Sequence, residues 1–295
     1  MNSHKPTNNS RVLIADDDPV IRHWLTSILE GEGHRVVSTN DGRDAYRLLQ
    51  GDADFAGAVF DMSMPYLEGS DLIKFMRTEK RLMRIPVMLI TAESDIRLVA
   101  NGFAAGATIL LPKPFARKRL QQMLRMMLGS SAVTKPTSLP TTKQKGFTLV
   151  AEQKSIAPFS NVDAISETEN HEPASVAVGP VDLSILVDDE GIDTNLVVEL
   201  IDLYLENGSR QVREIKAAAT QKADRKIKQL AHALRGSSLT MGVGEVAQVC
   251  AELEQETTRK TVGVAEVAQK LEAVFVRAAE ILKGERQKRA TPVAA

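Results

Sequence analysis

Five residues in the first half of the chain each close a short apolar run. They are Asp16 and Asp17 in "VLIADDDP", Asp61 in "AVFDMSMP", Thr91 in "LITA" and Lys113 in "LLPKPF". Carboxylates gathered at one place repel one another unless a cation sits among them, and hard oxygen donors select Mg2+ or a similar ion such as Mn2+. An ammonium is a point charge suited to phosphate oxygens. A divalent cation, a hydroxyl, an ammonium and one nucleophilic carboxylate together make a site that accepts a phosphoryl group. Taken singly, each residue has a bland reading. "DDDP" can be an N-cap run before a helix, Asp61 a turn residue, and Lys113 a solvated charge. Their joint position at strand ends of one type, in one domain, favours chemistry.

A second reactive group lies far away in the chain. "LAHALRGSSL" carries His232 in a helical pattern whose apolar stripe runs through Ile227, Leu230, Ala231, Leu234 and Ser238. The histidine lies off that stripe and should face solvent or a partner. Lys228, Arg235 and Gly236 stand one turn away on its face. Two cations can neutralise an incoming phosphoryl group, and a glycine gives a bulky partner clearance. A neutral imidazole is a competent nucleophile near neutral pH, although on an exposed helical face it is more often a bystander.

The elements that must position these groups fall into two regions. From 11 to 128, apolar runs ("RVLIA", "RVVST", "GAVF", "PVMLI", "ATILL") alternate with helical patterns. This predicts an α/β domain, a doubly wound five-stranded parallel sheet with its site beyond the strands' carboxyl ends. Residues 129–181 are rich in Ser, Thr, Pro and Lys and read as a flexible linker. From 182 to 285 every pattern is helical, which predicts an all-α antiparallel bundle. Gly208 is expected to end its first helix and Asp193 or Thr194 to cap it, with Asp224 capping the helix of His232. Residues 1–10 and 286–295 read as a disordered leader and tail.

The first region resembles the receiver domain of two-component response regulators, through "VLIADDDP", "FDMSMP" with "EG" following, "LITA" and "GATILLPKPF". The resemblance implies a flavodoxin-like fold and makes Asp61 the phosphoacceptor. Asp17, Asp61 and the Ser63 backbone carbonyl would ligate Mg2+, with Asp16 acting largely through water. Thr91 and Lys113 would bind phosphoryl oxygens, and Lys113–Pro114 is expected to be cis. Leu110 stands where relatives often carry a switching aromatic. Ser63 and Glu93 hold positions that commonly tune the lifetime of the aspartyl phosphate. The second region, through "AHALRGSSLTMGVGEVAQVCAELE", resembles the histidine phosphotransfer (HPt) domain. That resemblance makes His232 a phosphocarrier, with Lys228, Arg235 (in place of the usual lysine) and Gly236 as auxiliaries.

Together the resemblances imply a phosphorelay intermediate between an upstream sensor histidine kinase and a downstream receiver. A linker of about 50 residues spans roughly 40 Å, which permits an intramolecular contact between the two domains. Three rivals are a phosphorylation-switched adaptor, the C-terminal part of a hybrid sensor kinase, and an aspartyl-phosphate hydrolase. Met1 and the short polar leader favour a complete protein over the hybrid-kinase fragment. The hydrolase chemistry wants a second Asp where this chain has Ser63. No Gly-rich ATP-binding motif is present, and neither is a DNA-binding module. The net charge of -1 gives no pull toward nucleic acid. With one cysteine, Cys250, and no run of about 18 apolar residues, the sequence reads as a cytoplasmic protein without membrane insertion.

Overall fold

The computed structural model describes residues 10–92, 96–129, 181–186, 194–259 and 263–290. Strands β1 (Arg11–Ala15), β2 (Arg35–Thr39), β3 (Gly57–Asp61), β4 (Val87–Thr91) and β5 (Ile109–Pro112) form one sheet in the order β2-β1-β3-β4-β5, every neighbouring pair parallel. β3 and β4 are buried throughout and β1 over most of its length, as strands covered on both faces must be, whereas edge strand β2 is half-exposed. Alternate residues serve opposite faces. Val12, Ile14, Val59, Met88 and Ile90 pack with helices α1 (Pro19–Gly31) and α5 (Arg117–Gly129). Leu13, Ala15, Ala58, Phe60 and Leu89 pack with α2 (Gly42–Gly51), α3 (Gly69–Thr78) and α4 (Ile96–Ala105).

The bundle comprises α6 (Thr194–Thr220), α7 (Asp224–Thr240), α8 (Gly244–Arg259) and α9 (Val264–Ala290), in which α6 packs on α7 and α9 while α8 packs on the same two. Three expectations need correction. Gly208 does not end a helix. It lies inside α6, where a Cβ would meet the Phe275 ring at 2.5 Å, so the missing side chain admits an aromatic from α9. Asp224 is the first helical residue rather than the cap, and Ala223 precedes it without a side-chain cap bond. The tail expected from 286 is helical to Ala290. The Arg286 guanidinium grips Asp202 of α6 at 2.5 and 2.8 Å, and Arg289 pairs with Glu285, so charge rather than an apolar stripe holds those turns. Asp193 and the linker from 130 to 180 lie outside the described residues.

The two domains touch. α1 packs against α6 and α7, and one continuous apolar cluster runs from the α1–α5 face of the sheet into the bundle. His23 and Glu199 join across the rim at 2.8 Å. Among the described residues, no helix is long and apolar enough to cross a membrane.

Candidate functional site

The order β2-β1-β3 makes the direction of winding reverse between β1 and β3, and ligand crevices form at such points beyond the carboxyl ends. Asp16 and Asp17 follow β1, Asp61 ends β3, Thr91 ends β4, and Lys113 follows β5. Asp61 receives two hydrogen bonds: the Lys113 ammonium donates to Oδ1 at 2.7 Å, and the Ser63 N–H donates to Oδ2 at 2.9 Å. Lys113 Nζ also lies 3.7 Å from Asp16 Oδ2. The Lys113–Pro114 peptide is cis. Gly69 lets α3 start against the Asp61 loop, since a Cβ there would sit 2.2 Å from the Asp61 carbonyl oxygen. Thr91 is buried at the floor beside these groups. Leu110 is partly buried against the α3 side of the sheet, and Glu93 lies outside the described residues.

The "DDDP" run serves two purposes, split by residue. Asp18 is the N-cap of α1, accepting from the Val20 N–H at 2.8 Å, and Asp16 Oδ1 accepts from the Asp18 N–H at 2.8 Å. Asp16 and Asp17 are left for the crevice.

Charge is crowded here. Burial, with the neighbouring carboxylates, holds the Asp16 carboxyl well above its ordinary range despite Lys113, and pushes Asp17 up to about 7. Burial alone would lower the Lys113 pKa, but Asp61 and Asp16 outweigh it and hold the ammonium above its usual value. Four carboxylates (Asp16, Asp17, Asp18 and Asp61) therefore share one ammonium in a single cleft. Asp16 Oδ2 is buried with no hydrogen-bond partner. That donor chemistry suits a hard divalent cation. Among the described residues, however, no three acidic, histidine or cysteine side chains are already grouped as a metal cage.

The far wall of this cleft comes from α7. His232, Ala233 and Gly236 line it opposite Asp61 and Lys113, with Ile21 of α1 and Ala92 at the sides. His232 is thus half-buried, and what faces it is the other domain of the same chain. A Cβ on Gly236 would lie 3.5 Å from Lys113 Nζ and 3.7 Å from Ile21, so the position has room for alanine and for little more. The imidazole Nδ1 lies 3.6 Å from Glu254 Oε2 on α8, and Arg235 Nη1 lies 3.7 Å from the same oxygen. Burial works against the imidazolium, but Glu254, helped by the charge of Asp61, leaves the His232 pKa raised.

Not every expected residue is brought in. Lys228 is exposed on α7 and does not line the cleft, and Arg235 turns to Glu254 instead of facing Asp61. Reading the sequence alone missed Glu254, which no local spacing ties to His232. Cys250 is buried at the bundle core, where burial raises its thiol pKa.

Residues 12–125 match the family model "Response regulator receiver domain", and residues 199–290 match "Hpt domain". The chemotaxis protein CheY1 of Helicobacter pylori is 30% identical over 122 residues, 41% of this chain and 98% of that protein. The chain belongs to the response regulator receiver family. The transcriptional regulatory protein TctD of Salmonella typhimurium is 37% identical over 122 residues, 41% of this chain and 53% of its own length, so the chain spans about half of that relative. Among solved structures, the chemotaxis response regulator CheY4 of Vibrio cholerae matches with TM-score 0.39 and 30% identity, over 41% of this chain and all of that one. The receiver match ends four residues before Gly129, and the Hpt match begins inside α6, so the short 3-10 turn Leu183–Leu186 precedes it. The Asp182 N–H donates to the Gly242 carbonyl at 2.9 Å and ties that turn to the end of α7.

Proposed function

We propose that this chain is a phosphorelay protein in which Asp61 and His232 are successive carriers of one phosphoryl group. The observation that carries the reading is the single cleft lined by both residues with Lys113 between the domains. Phosphoryl transfer asks little covalent chemistry of a protein and much positioning and charge neutralisation. Here two folded domains supply the positioning and Lys113 supplies part of the neutralisation.

In the forward step the unprotonated Nε2 of His232 attacks phosphorus, the P–N bond forms, and the P–O bond to the Asp61 carboxylate breaks. The carboxylate leaves as an anion received by Lys113 and the Ser63 N–H. The proton on Nδ1 stays in place beside Glu254, which balances the positive charge that the ring acquires. The reverse step runs through the same contacts. Asp17, Asp61 and the Ser63 carbonyl, with Asp16 through water, would hold Mg2+ or Mn2+. Such an ion would offset the carboxylate charge and draw the phosphoryl oxygens into line. Thr91 is assigned to a phosphoryl oxygen. An upstream histidine kinase and a downstream receiver, in the cytoplasm, are the outside partners of the relay.

The test is direct. Labelled protein made with a small phosphodonor and magnesium should carry both an alkali-labile acyl phosphate and an acid-labile phosphohistidine. Asp61→Asn should remove the first and His232→Gln the second, and in His232→Gln the label should remain on Asp61. Label at neither residue overturns the reading.

A further inference from the structure

The free space between Asp16, Asp17, Asp61 and Lys113 on one side and His232, Ala233 and Gly236 on the other is about 10 Å³. That is room for about one water molecule. No domain carrying a histidine, and no second receiver, can reach either reactive group while α7 lies there. We propose that the bundle is the resident occupant of the phosphoacceptor face, so that outside partners exchange with Asp61 or His232 only after bundle and receiver have parted. This rests on the phosphorelay reading and adds to it an order of events: a seated form, which gives by the width of a phosphoryl group for internal transfer, and an open form for entry and exit.

Several features make the seat specific to this bundle. Its apolar seam is continuous with the receiver core, so separation exposes side chains on both domains. Ile21 of α1 lies against the Gly236 position, where a residue larger than alanine would meet it and Lys113. The His23–Glu199 contact closes the rim, with the two side chains 39% and 59% exposed, and so contributes orientation more than strength. Bundle and receiver belong to one chain, so the bundle returns to its seat without a second-order encounter. An outside domain of micromolar affinity must compete with that, and its apparent affinity falls by the fraction of chains that are open.

The experiment locks the seat. His23→Cys and Glu199→Cys are joined by a short bis-maleimide in the full chain. Cys250 is buried and does not compete for the reagent. Exchange between chains is read by loading an Asp61→Asn form at His232 with phosphoramidate and mixing it with a His232→Gln form. The label then moves from imidazole nitrogen to the Asp61 carboxylate of the second chain. Cross-linking both forms should slow this transfer tenfold or more. Internal exchange between Asp61 and His232 in a cross-linked chain with both residues intact should survive. Glu199→Arg without the cross-link should speed exchange between chains several-fold. A second readout needs no phosphoryl chemistry: diethyl pyrocarbonate modification of His232, followed by peptide mass, should slow on locking. If exchange between chains and His232 modification are both indifferent to the lock, the inference falls and the relay stands. If no form takes label at either residue, the relay falls and this inference with it.

Discussion

The two reactive groups of this chain are housed in opposite ways. Asp61 sits in a crevice assembled from the ends of four strands, where Asp16, Thr91 and Lys113 beside it are buried. His232 sits on one face of one helix, with its own domain supplying Glu254 and Arg235 behind it. The receiver therefore carries too much negative charge and asks for a cation. The bundle carries a nearly bare imidazole and asks for a lid. Each need is met from outside the domain that has it, and for His232 the lid is the receiver itself.

The sharpest test of this contrast is Lys113→Ala. It removes the one ammonium from the acidic cleft, and labelling of Asp61 from a small donor should fall at least about a hundredfold, because a pre-positioned charge is lost from a water-poor site. Loading of His232 by phosphoramidate should change little. Equal losses at both residues would show that the two sites are not independently built.

A second test targets the bundle alone. Gly208→Ala puts a methyl group within 2.5 Å of the Phe275 ring carbon, and relief requires α6 and α9 to separate. Overpacking of this kind costs about 1–3 kcal/mol. Urea unfolding should show the loss in the helical transition, with Asp61 labelling preserved.

The charge excess of the receiver has a pH signature. Asp17 holds its proton in the folded chain up to about 7, well above its unfolded value, so the native state binds the extra proton between about pH 4 and 7. Stability contributed by that proton is lost as pH rises through this window. In magnesium-free buffer, Asp17→Asn should flatten the fall in melting temperature relative to the parent chain over that range, and added magnesium should flatten it in the parent. A slope unchanged by the substitution would remove Asp17 from the charge excess.

The smallest effect is expected at Glu254. Glu254→Gln removes the carboxylate that offsets burial at His232, so the imidazole pKa, read from its ring proton shifts in NMR, should drop. An unchanged pKa would mean that Asp61, not Glu254, governs the ring.

The residue types and strand-end spacing of Asp16, Asp17, Asp61, Thr91 and Lys113 were legible in the sequence, because a parallel sheet gathers strand ends wherever its strands are recognisable. His232 was legible by its departure from the apolar stripe. Gly208 misled because glycine is both a helix terminator and a means of close approach, and only the position of Phe275 on another helix decides which. The helical end at 286–290 was hidden for the same kind of reason, since its anchor Asp202 lies 84 residues away in the chain.

What the sequence determined by itself was the local chemistry: which side chains can carry charge, coordinate a cation or take a phosphoryl group, and which elements hold them. What only the tertiary structure decided was the pairing of distant groups, namely Glu254 behind His232 and the closure of α7 over Asp61. Periodicity reports which face of an element is buried. It carries no information about what buries it, because an apolar contact is non-directional and its partner is chosen by the packing of the whole chain.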